Sequence, residues 1–200
     1  MPEDHMEELY SSKNPLVRFV HNGRLEHIVK KIPKDSGIKI LDAGCGEGHL
    51  LEKILKANSR AKVFGIDITK VALEKAKIRC PNAILKMESL SDTGFQSGFF
   101  DVVTCTEVLE HIYEYKKVIG ELKRILKPDG LLIITFPNER LWTLSRLLLG
   151  RKPVKVPDHI NSFSPNIMRK IIDMKIVSKN NLPLNLPFLL SLNCLMVFRK

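Results

Sequence analysis

The sequence has no run of about 18 uninterrupted apolar residues, the length a helix needs to cross a bilayer. Its most apolar stretch, 182–198, is broken by Pro183, Asn185, Pro187, Ser191 and Asn193. No membrane span is expected. Cysteine is scarce: Cys45, Cys80, Cys105 and Cys194 stand far apart, with no CxxC pair. That spacing excludes a zinc ribbon or disulfide framework and suits reduced, buried thiols in a cytoplasmic protein. The first eight residues are acidic where a secretory signal would be basic and then apolar. No repeat or low-complexity tract is present, so one domain spanning 1–200 is expected, of a size that can bury a full core.

Acidic residues thin out along the chain. Residues 1–100 carry 16 basic and 13 acidic side chains, and residues 101–200 carry 16 and 9. Five bases (Arg140, Arg146, Arg151, Lys152, Lys155) follow a single acid, Glu139. Such a patch suits RNA, an acidic lipid surface or a phosphorylated small molecule, and equally an ordinary solvated face.

Hydrophobic periodicity places strands and helices in alternation. A helix is expected from Pro15 to Lys31, stopped by Pro33. Ile38–Leu41 reads as a buried strand running into Asp42-Ala-Gly-Cys-Gly-Glu-Gly48, and His49–Ala57 as a helix. Ala61–Ile66 is a second strand, ending on Asp67. Thr69 can cap the next helix, which stops before Pro81. Ala83–Leu85 and Phe99–Cys105 are further strands. Glu114–Leu126 is a helix halted at Pro128-Asp-Gly130, and Leu131–Phe136 is a strand. Ser164-Pro165 opens a last helix to about Met174. Strands near Ile176–Ser178 and Cys194–Arg199 would close the sheet, separated by a long apolar loop or short helix. This order predicts an α/β doubly wound sheet, mostly parallel with an antiparallel last strand, and helices on both faces.

The glycine-rich loop sits where doubly wound sheets bind ligands, after the first strand. Gly44, Gly46 and Gly48 are spaced G-x-G-x-G, which departs from the G-x-G-x-x-G of dinucleotide binders and argues against a nicotinamide dehydrogenase. A backbone free of side chains lets a nucleoside and its tail lie against it. Asp67 follows 19 residues after Gly48. A carboxylate there can accept hydrogen bonds from both ribose hydroxyls, which implies a cofactor without a 2′-phosphate.

Taken together, Ile40-Leu-Asp-Ala-Gly-Cys-Gly-Glu-Gly48, Phe64-Gly-Ile-Asp67, the segment Phe100–Ile112 and Leu126–Ile134 resemble, in order, the motifs of class I S-adenosylmethionine-dependent methyltransferases. Asp158–Pro165 is similar to a segment of the branch that holds quinone-biosynthesis methyltransferases. The resemblance covers roughly residues 14–200 and implies a single Rossmann-like domain: an N-terminal helical segment (1–35), a cofactor-binding core (36–136) and a substrate-side segment (137–200). It implies S-adenosylmethionine as cofactor and S-adenosylhomocysteine as product. By position, Asp42, Gly44 and Gly46 would face the methionine end, Asp67 the ribose and Ile68 the adenine. Met87 and Glu88 would line the adenine, although Lys86 stands where an aspartate is common. Thr106, closing the run Thr104–Thr106, would pass beside the sulfonium, and Arg18 would reach the cofactor carboxylate.

Methyl transfer from a sulfonium is an in-line displacement, where alignment alone can supply up to about 7–11 kcal/mol. A base is needed only if the acceptor loses a proton, as an oxygen acceptor does. His111 and His159 are the candidate catalytic residues, each with an ordinary structural role as the alternative. Glu107, Glu110 and His111, at i, i+3 and i+4, could share a helical face and with His159 form a divalent site. That constellation resembles the metal site of small-RNA 2′-O-methyltransferases and of some quinone O-methyltransferases. It also occurs in members without metal, and a metal-free site is the expectation. The acceptor is expected to be small or lipid-like, methylated on oxygen or carbon, with the apolar Leu141–Leu149 and Leu182–Leu192 as pocket walls or ordinary core. An RNA methyltransferase is the alternative; it lacks an aromatic-interleaved basic stripe. A non-catalytic cofactor-binding scaffold is a further one, against which the intact glycine loop and Asp67 weigh.

Overall fold

The computed structural model describes residue 10, residues 12–148 and residues 158–200. Helix α1 spans Pro15–Val29; Asn14 caps it by accepting from the Leu16 N–H at 2.9 Å, and Pro15 occupies the first turn, where its missing N–H costs nothing. Strand β1 (Lys39–Ala43), helix α2 (His49–Ala57), strand β2 (Lys62–Asp67), helix α3 (Lys70–Arg79) and strand β3 (Ile84–Met87) form the first half. The second half holds β4 (Phe100–Thr106), a 3₁₀ turn (Leu109–His111), α4 (Tyr115–Ile125), β5 (Leu126–Pro137), α5 (Glu139–Leu148), α6 (Pro165–Ile172), β6 (Lys175–Leu182), a second 3₁₀ turn (Phe188–Leu190) and β7 (Asn193–Arg199).

The seven strands are ordered β3-β2-β1-β4-β5-β7-β6, and only β7 runs antiparallel to its neighbours. Alternate side chains of each central strand enter one of two cores. Leu41, Val103, Leu132, Ile134, Met196 and Phe198 face the layer of α4 and α6, with Phe100 and Leu122. Ile40, Val102, Ile133, Leu195 and Val197 face the layer of α1 and α2, with Ile28, Leu51 and Ile54. Each fully buried Leu, Ile or Phe contributes about 1.5–3 kcal/mol relative to exposure, so the two layers anchor the sheet from both sides.

Several expectations are corrected. Thr69 stands at the N-cap of α3, but its side chain makes no capping bond. Asp67 acts instead, its Oδ1 accepting from the Thr69 N–H at 2.9 Å. Helix α4 ends at Ile125, and the chain is already in β5 at Leu126, paired with Phe100. The Pro128-Asp-Gly130 turn is a bulge within β5, with Asp129 at φ 63°. β6 is longer than expected and shortens the apolar loop to 183–192. Helix α5 was not foreseen from the leucine run it contains. Leu149 and the basic residues Arg151, Lys152 and Lys155 lie outside the described residues. The four cysteines are buried free thiols, as expected, and burial raises the pKa of each, which makes them poor nucleophiles. Among the described residues no helix is long and apolar enough to cross a membrane.

Candidate active site

Strand order reverses between β1 and β4, so the chain leaves these two strands in opposite directions and a crevice opens at their carboxyl ends. The loop 44–48 after β1 and the segment 107–111 after β4 border that crevice. Gly44 (φ 79°) and Gly46 (φ 50°) both hold left-handed backbone. A Cβ on Gly44 would stand 2.6 Å from Val108 Cγ2, across the crevice, whereas one on Gly46 would meet nothing within 4 Å. Gly44 is glycine for packing, and Gly46 faces open space.

Asp67 is drawn back onto this loop. Its Oδ2 accepts from the Gly46 N–H at 2.9 Å, while the Gly44 and Cys45 amides donate to the Ile66 carbonyl at 2.8 and 3.0 Å. Asp42 lies beneath, 1 % exposed, with Oδ1 accepting from the Thr104 hydroxyl at 2.7 Å. Burial pushes its carboxyl up to about 7; the Thr104 bond opposes this and nearby Asp67 adds to it. Ile68 and Met87 are unusually exposed for apolar residues, at 73 % and 61 %. They stand at the ends of neighbouring strands, Met87 in register with Asp67, where a planar ring could be covered. Glu88 follows, its N–H donating to the Asp67 carbonyl at 3.2 Å. Lys86 turns away, its ammonium 4.9 Å over the Phe95 ring. Thr106 closes β4, in register with Thr135.

Beyond β4 the chain brings together residues that are far apart in sequence. Glu110, His111 and His159 each offer one ligand atom within 4.8 Å of the others, and the two imidazole centroids are 4.7 Å apart. Glu110 is 1 % exposed, and neither carboxylate oxygen has a hydrogen-bond partner. Burial, reinforced by Glu107, pushes its pKa well above the carboxylate range. His111 Nδ1 lies 3.0 Å from the Asp158 carbonyl, and burial lowers its pKa. His159 Nδ1 lies 2.5 Å from Glu139 Oε1. Glu107 does not join this group. With φ 54° its side chain turns the other way, onto Arg24 Nη1 (3.1 Å) and Asn193 Nδ2 (2.8 Å). The helical face expected to hold Glu107, Glu110 and His111 together is absent, because only a 3₁₀ turn forms and it starts at Leu109. Of the two carboxyls after β4, Glu107 is thus paired with Arg24 and Glu110 lies with the imidazoles.

A family model described as "Methyltransferase domain" matches residues 34–183. The chain belongs to that family. Its class is the S-adenosylmethionine-dependent methyltransferases. A ubiquinone biosynthesis O-methyltransferase of Vibrio campbellii is 31% identical over 161 residues, covering 75% of this chain and 68% of that protein. Its counterpart in Actinobacillus pleuropneumoniae is 34% identical over 140 residues, covering 66% and 59%. This chain thus spans about three-fifths to two-thirds of these relatives' lengths. Among solved structures, magnesium protoporphyrin IX methyltransferase from Synechocystis with bound S-adenosylhomocysteine superposes with a TM-score of 0.75 at 21% identity, covering 98% of this chain and 93% of that one. At that identity the likeness speaks for the fold.

In this methyltransferase Glu107, at the border of the crevice, is paired with Arg24, which the sequence did not single out. Arg18 is exposed to solvent, its Nη1 donating to the Ser12 carbonyl at 2.7 Å. Arg24 is buried, paired with Glu107 and donating from Nη2 to the Tyr10 hydroxyl at 3.2 Å, while its Nε is buried without a partner. Burial alone would weaken its charge, but Glu107, Tyr10 and Glu110 hold it above the usual value. No periodicity separates Arg18 from Arg24; the signal is tertiary burial. Glu139 likewise stands in the sequence only as the acid before a basic run.

Proposed function

We propose that this methyltransferase moves the methyl group of S-adenosylmethionine to an oxygen of a small, lipid-like hydroxylated aromatic. The observation that carries the reading is the convergence of His111, His159 and the unpartnered Glu110 carboxyl. Such a group serves an acceptor that must lose a proton, as a hydroxyl does, whereas an amine nitrogen attacks through a lone pair that is already free. The names of the curated relatives, ubiquinone biosynthesis O-methyltransferases, support the same acceptor class. Exposed Leu184, Leu186, Leu189 and Leu190 beside α5 suit an apolar tail.

In this reading the donor lies across the carboxyl ends of β1, β2 and β4. Gly44 and Gly46 give its methionine end backbone room, with Asp42 beneath to face the ammonium and Arg24 supplying a spare N–H to the carboxylate. Asp67 takes the ribose, Ile68, Met87 and Glu88 border the adenine, and Thr106 passes beside the sulfonium. The acceptor hydroxyl stands before His111 and His159, one of which takes its proton as its oxygen attacks the methyl carbon in line with the departing sulfur. A single domain spanning 1–200 holds donor and acceptor together.

Incubation with isotopically labelled S-adenosylmethionine and hydroxylated aromatics, with and without apolar tails, tests this. Methyl ethers formed preferentially on tailed compounds are expected. Methyl appearing on carbon, or only on RNA, would refute the acceptor. A metal-assisted version is favoured by one observation, the 4.8 Å grouping of Glu110, His111 and His159. Those residues could hold a divalent ion that lowers the hydroxyl pKa. Excess chelator separates the versions: loss of turnover restored by a divalent ion supports the ion, and indifference supports the imidazoles alone.

A further inference from the structure

Glu139 opens α5 and stands 20 residues before His159, yet their side chains meet with Oε1 2.5 Å from Nδ1. Both are largely withdrawn from solvent, at 10% and 14% exposure. We propose that Glu139 is a positioning residue that holds His159 in its Nδ1–H tautomer and turns Nε2 toward the acceptor. This rests on the reading of His159 as a working group of the site. An ionised carboxylate has lone pairs only, so the ring nitrogen facing it must carry the hydrogen. A neutral imidazole has one N–H, and Nε2 is therefore bare. In that state it can take a proton or hold an ion; in the other tautomer it can do neither.

His111 reaches the same state by a different route. Its Nδ1 faces the Asp158 carbonyl at 3.0 Å, and a carbonyl also only accepts. The two rings are inclined at 77°, one nitrogen of each lies within 4.8 Å of the other and of a Glu110 carboxylate oxygen, and Nδ1 of each already has a partner. The difference between them is what makes the proposal testable. The tautomer of His111 is written into the backbone, whereas that of His159 depends on one side chain. Glu139 also sits in the first turn of α5, where a negative charge favours the helix dipole. A residue serving only that purpose would change helix stability and leave the imidazole as it was.

The test is a long-range ¹⁵N–¹H correlation on protein labelled at histidine, in mildly alkaline buffer without acceptor. His159 is assigned by His159→Gln. The wild type should show Nδ1–H and a bare Nε2 at both His111 and His159. Glu139→Ala should shift His159 toward the Nε2–H form and leave His111 unchanged as an internal reference. Glu139→Leu, which keeps the bulk, serves if the alanine variant does not fold. With an acceptor in hand, kcat should fall by roughly 10–100-fold, with KM for S-adenosylmethionine unchanged, as when a group that orients a working histidine is removed. An Nε2–H signal for His159 in the wild type, or an unaltered His159 in both variants, would overturn the proposal. Because the spectra need no acceptor, failure to methylate any hydroxyl would count against the proposed function and leave this result standing.

Discussion

Asp42 ties the chemistry of the crevice to pH. Its carboxyl titrates near 7 in the fold, above its ordinary value of 3.8, because burial disfavours the charge. The folded chain therefore holds a proton that the unfolded chain has released between those values. Stability declines as pH rises through this window and levels off above about 7. In the proposed binding mode, a cofactor ammonium beside Asp42 would reverse the preference, since a nearby cation favours the carboxylate. Binding should then expel the proton below pH 7, and affinity should weaken on acidification from pH 8 to 6 by at most about tenfold per unit. Calorimetry in buffers of different ionisation enthalpy reads the released proton, and Asp42→Asn should abolish it. Gly46 makes a second prediction at this scale. Its Cβ position is open, so Gly46→Val should fold, losing about 1–2 kcal/mol for a left-handed residue with a side chain. It should bind no S-adenosylhomocysteine. Wild-type affinity in that variant would place the cofactor elsewhere.

Among the elements, α5 and the 183–192 loop depend on Asn138. Its Nδ2 donates to the Phe188 carbonyl at 2.7 Å and the Ser191 carbonyl at 3.1 Å, and its Oδ1 accepts from the Leu141 N–H. Asn138→Ala leaves the buried Ser191 carbonyl without its donor, while the Phe188 carbonyl keeps the Ser191 N–H at 3.1 Å, so a loss of about 1–3 kcal/mol is expected in denaturant unfolding. The substrate-side residues should suffer more than cofactor affinity, because the staple lies beyond β5. This region also marks the limit of what the sequence revealed. The glycine loop, Asp67 and the strands around them were legible because each is local: a buried run, a breaker, an acid at a strand end. Helix α5 was not, since its leucines suit a pocket wall as well as a helix stripe. The Glu139–His159 and Arg24–Glu107 pairs were hidden for another reason: both depend on burial and on contacts between distant segments. Glu107 parted from Glu110 because its positive φ breaks the helical spacing that sequence alone suggested.

At the scale of the whole molecule, both cores share one sheet. Ile40 and Leu41 are adjacent residues of β1, yet they enter opposite layers, and the same alternation runs through β4, β5 and β7. Neither layer can melt without exposing one side of strands that the other needs, so unfolding should be a single cooperative transition. The crevice borders strands from this shared centre, so a ligand there should stabilise the entire unit. At 100 times its Kd, S-adenosylhomocysteine should add about 2.7 kcal/mol, which for a domain of this size raises Tm by roughly 5–10 °C. Scanning calorimetry with and without the ligand measures this directly. One peak that moves as a whole is the expected result, with the 137–200 segment melting together with 36–136. Two peaks, of which the ligand moves only one, would show that the substrate-side segment folds as a separate unit, and the single-domain proposal would fall.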